Sequence, residues 1–360
     1  MTSASLPQVG QHLELSLPHE HVFQLVLNRP AQLNAMTDAL EADLRLAFNF
    51  FDSQPKLRVA IIAGRGKAFC AGQDLKDWLM RQQQQAGPVQ STPSSTLPLE
   101  PLESVNAKVD KLKAGGFGTL STRRSTKPII AAVDGVCFGG GLEMVLNCDL
   151  VVASTRSTFA LPEAARGVVA SQGAIARLSR ICGHQRATEL LLLCEPISAE
   201  QAYSTFGFVN RLLPLSKPSS SSPTDSNSWE VGEKAILNLA LQLAVKVAQN
   251  SPDAVQLSKL HLLAARGSSP SLADANDERS LASTPERVTR HMDEFEEGDI
   301  DLLAVKLYRS KRSRALFAGS NVQEGLRSFK EKRLPNWKDL APIDDRTTST
   351  GSETAPKPKL

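Results

Sequence analysis

Two spacings of apolar residues follow one another along the first part of the chain. Short, mainly apolar runs at 22–27, 59–63, 129–133 and 149–153 predict β-strands. The run 59–63 is wholly apolar, which is typical of a strand buried on both faces. After Thr37 the apolar residues recur at helical spacing, at Leu40, Leu44, Ala47, Phe48 and Phe51. Strands that alternate with helices predict an α/β protein with mainly parallel strand pairing.

Two low-complexity stretches interrupt this pattern. Residues 82–99, inside an insertion at about 81–123, are rich in Gln, Ser and Pro and predict a loosely ordered segment. The stretch 216–229 predicts a linker, and helical patterns follow it. The expected organisation is therefore a core at 20–215, a linker at 216–229, a helical C-terminal region at 230–338, with helices at about 231–250, 253–265 and 286–332, and a disordered tail at 339–360.

Composition and charge narrow the class of protein. With 360 residues, 41% of them hydrophobic, the chain can build a substantial core. The net charge of +3 is too small to indicate a nucleic-acid or membrane partner, and no apolar run has the length of about 18 residues that predicts a membrane span. Five widely spaced cysteines indicate neither a disulfide framework nor a zinc site and favour a reducing compartment.

The candidate chemistry lies in three stretches of small residues, at 66–75, 134–143 and 159–167. The second contains FGGGLE at 138–143, which matches neither a phosphate loop nor a dinucleotide fingerprint. Backbone N–H groups at a helix start have no partner within the helix, so they can hold an oxygen that becomes negative. Glu143 and Glu163 could transfer protons beside that oxygen. Considered singly, the glycines 139–141 are better explained as a helix entry packed on a sheet, Glu143 as a first-turn acid and Glu163 as a helix-starting acid after Pro162.

Taken together, these stretches resemble the crotonase superfamily, the enoyl-CoA hydratase and isomerase family. The matching motifs are LNRPAQLNAM at 27–36, GKAFCAGQDL at 66–75, KPIIAAVDGVCFGGGLEMVLNCDLVVAS at 127–154 and FALPEAARGVV at 159–169, with weaker matches at 197–214 and 324–337. The resemblance covers most of residues 20–338 apart from the insertions.

The resemblance implies a spiral of ββα units with a helical C-terminal region used in trimerisation. It assigns the oxyanion hole to the backbone amides of Gln73 and Gly140, and the catalytic acids to Glu143 and Glu163. The implied coenzyme A contacts are Arg29, Gln73, Asp74, Leu75 and Lys76.

The function implied is that of an enoyl-CoA hydratase, which adds water reversibly to a 2-enoyl-CoA in fatty-acid oxidation or in a specialised pathway such as a siderophore or toxin acyl group. Where many hydratases carry paired glycines in the acyl pocket, this chain has residues 169–174 (VASQGA), which predicts a substrate other than a simple straight chain. The alternatives are a Δ3,Δ2-enoyl-CoA isomerase, which needs one acid, and a non-catalytic RNA-binding member that uses the basic stretch 306–314.

The remaining expectations concern partners and location. The resemblance implies a homotrimer or hexamer and no cofactor, since coenzyme A is part of the substrate. The histidines in 18–21 (PHEH) lack further ligands nearby, so no metal site is predicted. The residues Pro358–Leu360 are similar to a peroxisomal address that an import receptor reads, which predicts a peroxisomal location.

Overall fold

A computed structural model of the chain describes residues 5–74, 77, 102–215, 225–265, 316 and 319–339. Its strands are β1 (Leu13–His19), β2 (Val22–Leu27), β3 (Val59–Gly64), β4 (Ala68–Cys70), β5 (Ile129–Val133), β6 (Val136–Phe138), β7 (Leu150–Ser154), β8 (Thr158–Ala160), β9 (Ile197–Ser198) and β10 (Arg211–Leu213). Its helices are α1 (Asp38–Ser53), α2 (Leu102–Lys113), α3 (Gly140–Val145), α4 (Ala174–Cys182), α5 (His184–Leu193), α6 (Ala199–Ser204), α7 (Asp225–Ala248), α8 (Pro252–Ala265) and α9 (Ser320–Glu331). The low-complexity core at 82–99, the basic stretch 306–314 and the terminal Pro358–Leu360 lie outside the described residues.

The strands form two sheets, one of six strands and one of four. The larger sheet has the order β1-β2-β3-β5-β7-β10 and the smaller one β4-β6-β8-β9. Pairing is parallel except for β1 with β2 and β8 with β9. Successive strand pairs, β3 with β4, β5 with β6 and β7 with β8, each place one strand in each sheet. The chain therefore advances as a spiral, which confirms the predicted α/β class with mainly parallel pairing.

The central strands are buried on both faces, as their apolar runs predict. Along β3, Ile62 belongs to the cluster that also holds Leu142 of α3, whereas Ile61 packs in a second cluster under α7. Helix α7 contributes Ile236, Ala240, Ala244 and Ala248 to that second cluster. These four residues are spaced by four, so they lie on one helix face and let the helix approach the sheet closely.

Helix α1 agrees with its prediction in detail. The Thr37 side chain accepts a hydrogen bond from the Leu40 backbone N–H and caps the helix. The residues predicted to face the core, Leu40, Leu44, Ala47, Phe48 and Phe51, are all buried. Local capping and helical periodicity therefore indicate the same element.

Two helices occur where the sequence favours irregular structure. Helix α7 begins at Asp225, inside the stretch 216–229 predicted as a linker, because polar residues such as those at 225–228 also suit the first turn of a helix. Helix α2 lies within the predicted insertion, has no buried residue, and is linked to α1 by a 2.8 Å hydrogen bond from Lys111 Nζ to Glu41 Oε2.

The chain divides into two compact units between Lys259 and Leu260. In the second unit, the Arg333 guanidinium bonds the Glu324 carboxylate, with one contact of 2.6 Å. The side chain of Asn321 bonds the backbone of Lys338. These contacts hold α9 to the segment that follows it.

Candidate active site

The first part of the site is the loop after β4. Met36 and Gln73 form a parallel bridge in which the Met36 N–H donates to Gly72 O (2.8 Å) and the Asp74 N–H donates to Met36 O (3.0 Å). In a parallel ladder these bonds use the residues on either side of Gln73. The N–H of Gln73 itself therefore points away from Met36.

The second part is the start of α3. A Cβ on Gly72 would stand 3.1 Å from Phe138 O and 3.6 Å from the Gly140 backbone nitrogen, so the loop after β4 lies against this helix start. Gly139 has φ +57°, and its N–H donates to Ala160 O of β8 at 2.9 Å. Within the described residues, neither the Gln73 nor the Gly140 N–H donates a hydrogen bond. The two amides of the predicted oxyanion hole thus lie on neighbouring segments, with their donors unused.

Gly140 also has no room for a side chain. A Cβ at this position would stand 2.5 Å from the ring of Phe117, and one at Gly141 would stand 2.4 Å from Cys70 O. Such distances are shorter than any real Cβ contact, so the glycines are needed for close packing of α3 against its neighbours. Helix α3 has only six residues and begins at Gly140. The donor at this end is therefore the backbone N–H of Gly140.

Glu143 lies in α3 and is 3% exposed. Its Oε1 accepts hydrogen bonds from two backbone amides, those of Gln172 (2.8 Å) and Ala174 (3.3 Å). The pKa of Glu143 is raised to about 7, mainly by burial and in part by the charge of Glu163, while the two amide bonds and the charge of Arg177 oppose the shift. The carboxyl group is therefore held in place and titrates near neutral pH.

Glu163 approaches the same glycines from another segment. It directly precedes a short 3-10 helix, Ala164–Arg166, and its Oε1 lies 3.1 Å from where a Cβ on Gly139 would stand. Within the described residues, its buried Oε2 has no hydrogen-bond partner. Burial raises the pKa of Glu163, and the charge of Arg166 opposes that shift. The structure thus brings the second predicted acid beside the predicted oxyanion hole.

Together these groups suit proton transfer next to a carbonyl. Two interacting carboxyl groups with raised pKa values can hold one proton between them near neutral pH, so that one acts as the acid and the other as the base. Two backbone N–H groups can stabilise the charge that develops on the carbonyl oxygen. Glu143, Glu163, Gln73 and Gly140 all lie in this one region of the molecule.

Of the residues predicted to contact coenzyme A, Arg29 and Asp74 bond each other. The Arg29 side chain is 11% exposed, and its Nη2 donates to Asp74 Oδ2 at 3.3 Å. Its Nη1 donates to Ala35 O. Arg29 therefore supports the loop that carries Gln73, and its contact with coenzyme A stays a prediction. Leu75 and Lys76 lie outside the described residues.

The cysteines near the site are packing residues. All five cysteines are free, and burial raises the pKa of Cys70 to about 12 and that of Cys137 well above its ordinary value. Both therefore stay protonated thiols at neutral pH.

Metal-binding clusters and membrane-spanning helices are both absent from the described residues. His21 Nδ1 lies 2.6 Å from Lys56 O, and in the described ranges no group of three or more His, Cys, Asp or Glu side chains could hold a metal ion. No helix in the part of the chain that the structure describes is long and apolar enough to cross a membrane.

The contacts made by residues 172–174 are the main feature that sequence reasoning misses. The backbone of Gln172 and Ala174 orients Glu143, and a backbone role leaves no residue-type signal. The one available sign is that residues 169–174 depart from the motif of the related hydratases, which draws attention to the segment without indicating what it does.

Comparison with known proteins adds an independent line of evidence. Residues 18–99 and 113–222 match the family described as Enoyl-CoA hydratase/isomerase. The mevalonyl-coenzyme A hydratase of Beauveria bassiana (strain ARSEF 2860) is 35% identical over 94% of this chain and 99% of its own length. The mevalonyl-coenzyme A hydratase of Aspergillus fumigatus (strain Af293) is 34% identical over 94% of this chain and 98% of its own.

Solved structures agree with the fold. The crystal structure of an enoyl-CoA hydratase from Mycobacterium tuberculosis H37Rv aligns with a TM-score of 0.65 at 27% sequence identity. The alignment covers 91% of this chain and 99% of that one. The spiral of strand pairs is therefore the arrangement found in that hydratase.

Proposed function

Because the chain belongs to the enoyl-CoA hydratase/isomerase family, we propose that it is a hydratase whose substrate is a branched, hydroxylated acyl-CoA of the mevalonyl type. The reaction is the reversible addition of water across the C2–C3 double bond of the enoyl-CoA, or the loss of water from the 3-hydroxyacyl-CoA. The substrate class is supported by the two relatives named mevalonyl-coenzyme A hydratases, which match 94% of this chain at 35% and 34% identity.

The observation that carries the proposal is the pair of acids beside two unused amides. In the proposed complex, the thioester oxygen of the substrate accepts hydrogen bonds from the N–H groups of Gln73 and Gly140. Attack at C3 moves the electrons of the double bond toward that oxygen, and the two donors stabilise the resulting charge. In other enzymes the loss of one such donor lowers the rate by about a hundredfold or more.

The carboxyl groups then handle the protons. In the hydration direction, the ionised carboxylate takes a proton from water as the water oxygen bonds to C3, and the protonated carboxyl gives its proton to C2. The two transfers leave the pair with one proton, as before. Dehydration uses the same groups in reverse, with the C3 hydroxyl leaving as water. Burial, which raises the pKa of both Glu143 and Glu163, supplies the protonated member at neutral pH.

Hydration is favoured over isomerisation because two acids lie at the site. An isomerase moves one proton between carbons and needs a single well-placed acid, whereas water addition requires one group to take a proton and another to give one. Glu143 is held by its bonds to the backbone of residues 172 and 174, and Glu163 Oε1 lies beside Gly139.

The test is incubation of the purified protein with a panel of enoyl-CoA and 3-hydroxyacyl-CoA thioesters that includes mevalonyl-CoA, followed by mass analysis. We expect loss of one water from mevalonyl-CoA and gain of one water by its dehydrated product. Rearranged products of unchanged mass would identify an isomerase, and no change in any thioester would refute catalysis at this site. We propose no cofactor, since coenzyme A enters with the substrate.

The proposal extends to assembly and location. Exposed apolar side chains on neighbouring helices, Ile181 of α4 and Leu192 and Leu193 of α5, favour a homotrimer or hexamer, which light scattering of the purified protein would test. A peroxisomal location rests on the sequence of Pro358–Leu360. Fluorescent fusions with and without those three residues would test it, and identical distributions would refute it.

A further inference from the structure

The residue whose backbone orients Glu143, Gln172, also carries a buried side-chain oxygen without a hydrogen-bond partner among the described residues. The backbone N–H of Gln172 donates to Glu143 Oε1 at 2.8 Å. The side-chain Oε1 of the same residue is buried, and within the described residues it accepts no hydrogen bond. A buried polar atom without a partner is costly, so one in a native site calls for an explanation.

The backbone that follows Gln172 is held in place, so its side chain starts from a defined position. Ala174 also donates to Glu143, and Gly173, with φ +114°, lies so close to another segment that a Cβ there would stand 3.3 Å from Ser121 O. The amide of Gln172 therefore stays within one side-chain length of the Glu143 carboxylate. Because the acids of the proposed mechanism act at C2 and C3, a group this close to Glu143 is within reach of the carbons that follow C3.

The chemistry of an amide restricts the group that could satisfy it. The oxygen and nitrogen ends of a glutamine amide are interchangeable by a flip of the side chain. A hydroxyl group both donates and accepts, so it can bond either end, whereas an alkyl chain can bond neither. The acyl group of the mevalonyl type carries, besides the C3 hydroxyl that reacts, a terminal hydroxyl that does not.

We propose that the Gln172 side-chain amide hydrogen-bonds the non-reacting hydroxyl of the acyl chain and thereby selects hydroxylated acyl-CoA substrates over alkyl ones. This assignment rests on the proposed function and makes Gln172 a specificity-determining residue of that site. It also gives a physical reason for the departure of residues 169–174 from the motif of related hydratases.

The test compares two substrates on each enzyme preparation. One is the dehydrated product of mevalonyl-CoA, and the other is the same enoyl-CoA with hydrogen in place of the terminal hydroxyl. The variants are Gln172→Met, which keeps length and removes the hydrogen bonds, and Gln172→Ala. Ser171→Ala is the matched control, since Ser171 is the exposed neighbour. The readout is the ratio of the two kcat/KM values, which does not depend on the fraction of enzyme that is folded.

We expect the wild-type enzyme and Ser171→Ala to prefer the hydroxylated substrate by about tenfold or more, and both Gln172 variants to lose that preference mainly through slower turnover of the hydroxylated substrate. Unchanged ratios in both Gln172 variants would overturn the assignment and leave the hydratase function standing. A wild-type enzyme that hydrates neither substrate would refute the proposed function itself, and this assignment with it.

Discussion

Replacement of Glu143 by glutamine tests both the energetics and the chemistry of the site. Glutamine has the shape of a protonated glutamate, and its side-chain oxygen can accept the same two bonds from the Gln172 and Ala174 amides. The substitution therefore removes the ionisation of Glu143 and little else. The expected consequences are a more stable protein at high pH and a nearly inactive enzyme.

The size of the stability effect follows from the pKa. The folded protein raises the pKa of Glu143 from 4.5 to about 7, and tenfold in proton affinity is worth about 1.4 kcal/mol. Below pH 4.5 the group is protonated in both the folded and unfolded states, so no stability is lost. Between pH 4.5 and about 7 the unfolded chain releases the proton while the folded protein keeps it. The unfolding free energy therefore falls by about 1.4 kcal/mol per pH unit, about 3 kcal/mol in all, and stays level above pH 7.

The assay is urea unfolding of the wild type and of Glu143→Gln at fixed protein concentration, from pH 5 to pH 8.5. Titrating groups that do not interact with Glu143 are common to both proteins and cancel in the difference, whereas Glu163, whose charge raises the pKa of Glu143, contributes to it. We expect the variant to gain stability relative to the wild type as pH rises, by about 3 kcal/mol across this window. Glu195→Gln, at an exposed position, is the control for exchange of a carboxylate for an amide. A difference between the wild type and Glu143→Gln that does not change with pH would refute the claim that burial raises the pKa of Glu143.

Activity provides the second readout of the same variant. General acid–base groups typically contribute about a hundredfold to ten-thousandfold, so kcat of Glu143→Gln should fall within that range while the variant stays folded. Full hydratase activity in Glu143→Gln would remove Glu143 from the mechanism, whatever the unfolding data show.

Three further predictions concern other parts of the molecule. Gly140→Ala should lower kcat/KM by about a hundredfold, because a Cβ would stand 2.5 Å from the Phe117 ring and displace the proposed donor. A folded variant with the wild-type kcat/KM would contradict the role of the Gly140 N–H as a donor to the thioester oxygen. The wild-type kcat/KM should fall as pH rises above about 7, because Glu143 then loses its proton and the carboxyl pair has none to give. A kcat/KM that is constant from pH 6 to 9 would contradict the shared proton. Arg156→Met should lower the free energy of unfolding in urea by about 3–5 kcal/mol. The reason is that the Asp134 carboxylate, 1% exposed and bonded at 2.7 Å by Arg156 Nε, would stay buried without its charged partner. A loss below about 1 kcal/mol would show that water reaches Asp134.

The sequence predicts those elements whose signal lies within a few neighbouring residues. The apolar runs that became β2, β3, β5 and β7 are long enough to show two buried faces, and the Thr37 cap lies next to the helical spacing of α1. The strands of the smaller sheet are two or three residues long. A run that short has no period of its own, so the second sheet is expected only from the family resemblance.

The sequence likewise predicts only part of the candidate site. The identity of Glu143 and Glu163 follows from motifs, because the chemistry depends on the side chain itself. The partners of Glu143 are backbone amides 29 and 31 residues further along the chain, and almost any residue type could supply them. The crowding of Gly140 by Phe117 is likewise a tertiary contact, which only the folded chain brings together.

The two-sided burial of β3 has a consequence for how the protein can change over time. Ile62 packs in the cluster that contains Leu142 of α3, the helix that carries Glu143, whereas its neighbour Ile61 packs under α7. Adjacent codons therefore fall under separate selective constraints. Substitutions at the α7-facing positions can change thermal stability without changing the reaction centre. Lineages that live at different temperatures could therefore diverge at those positions and retain the same catalytic residues.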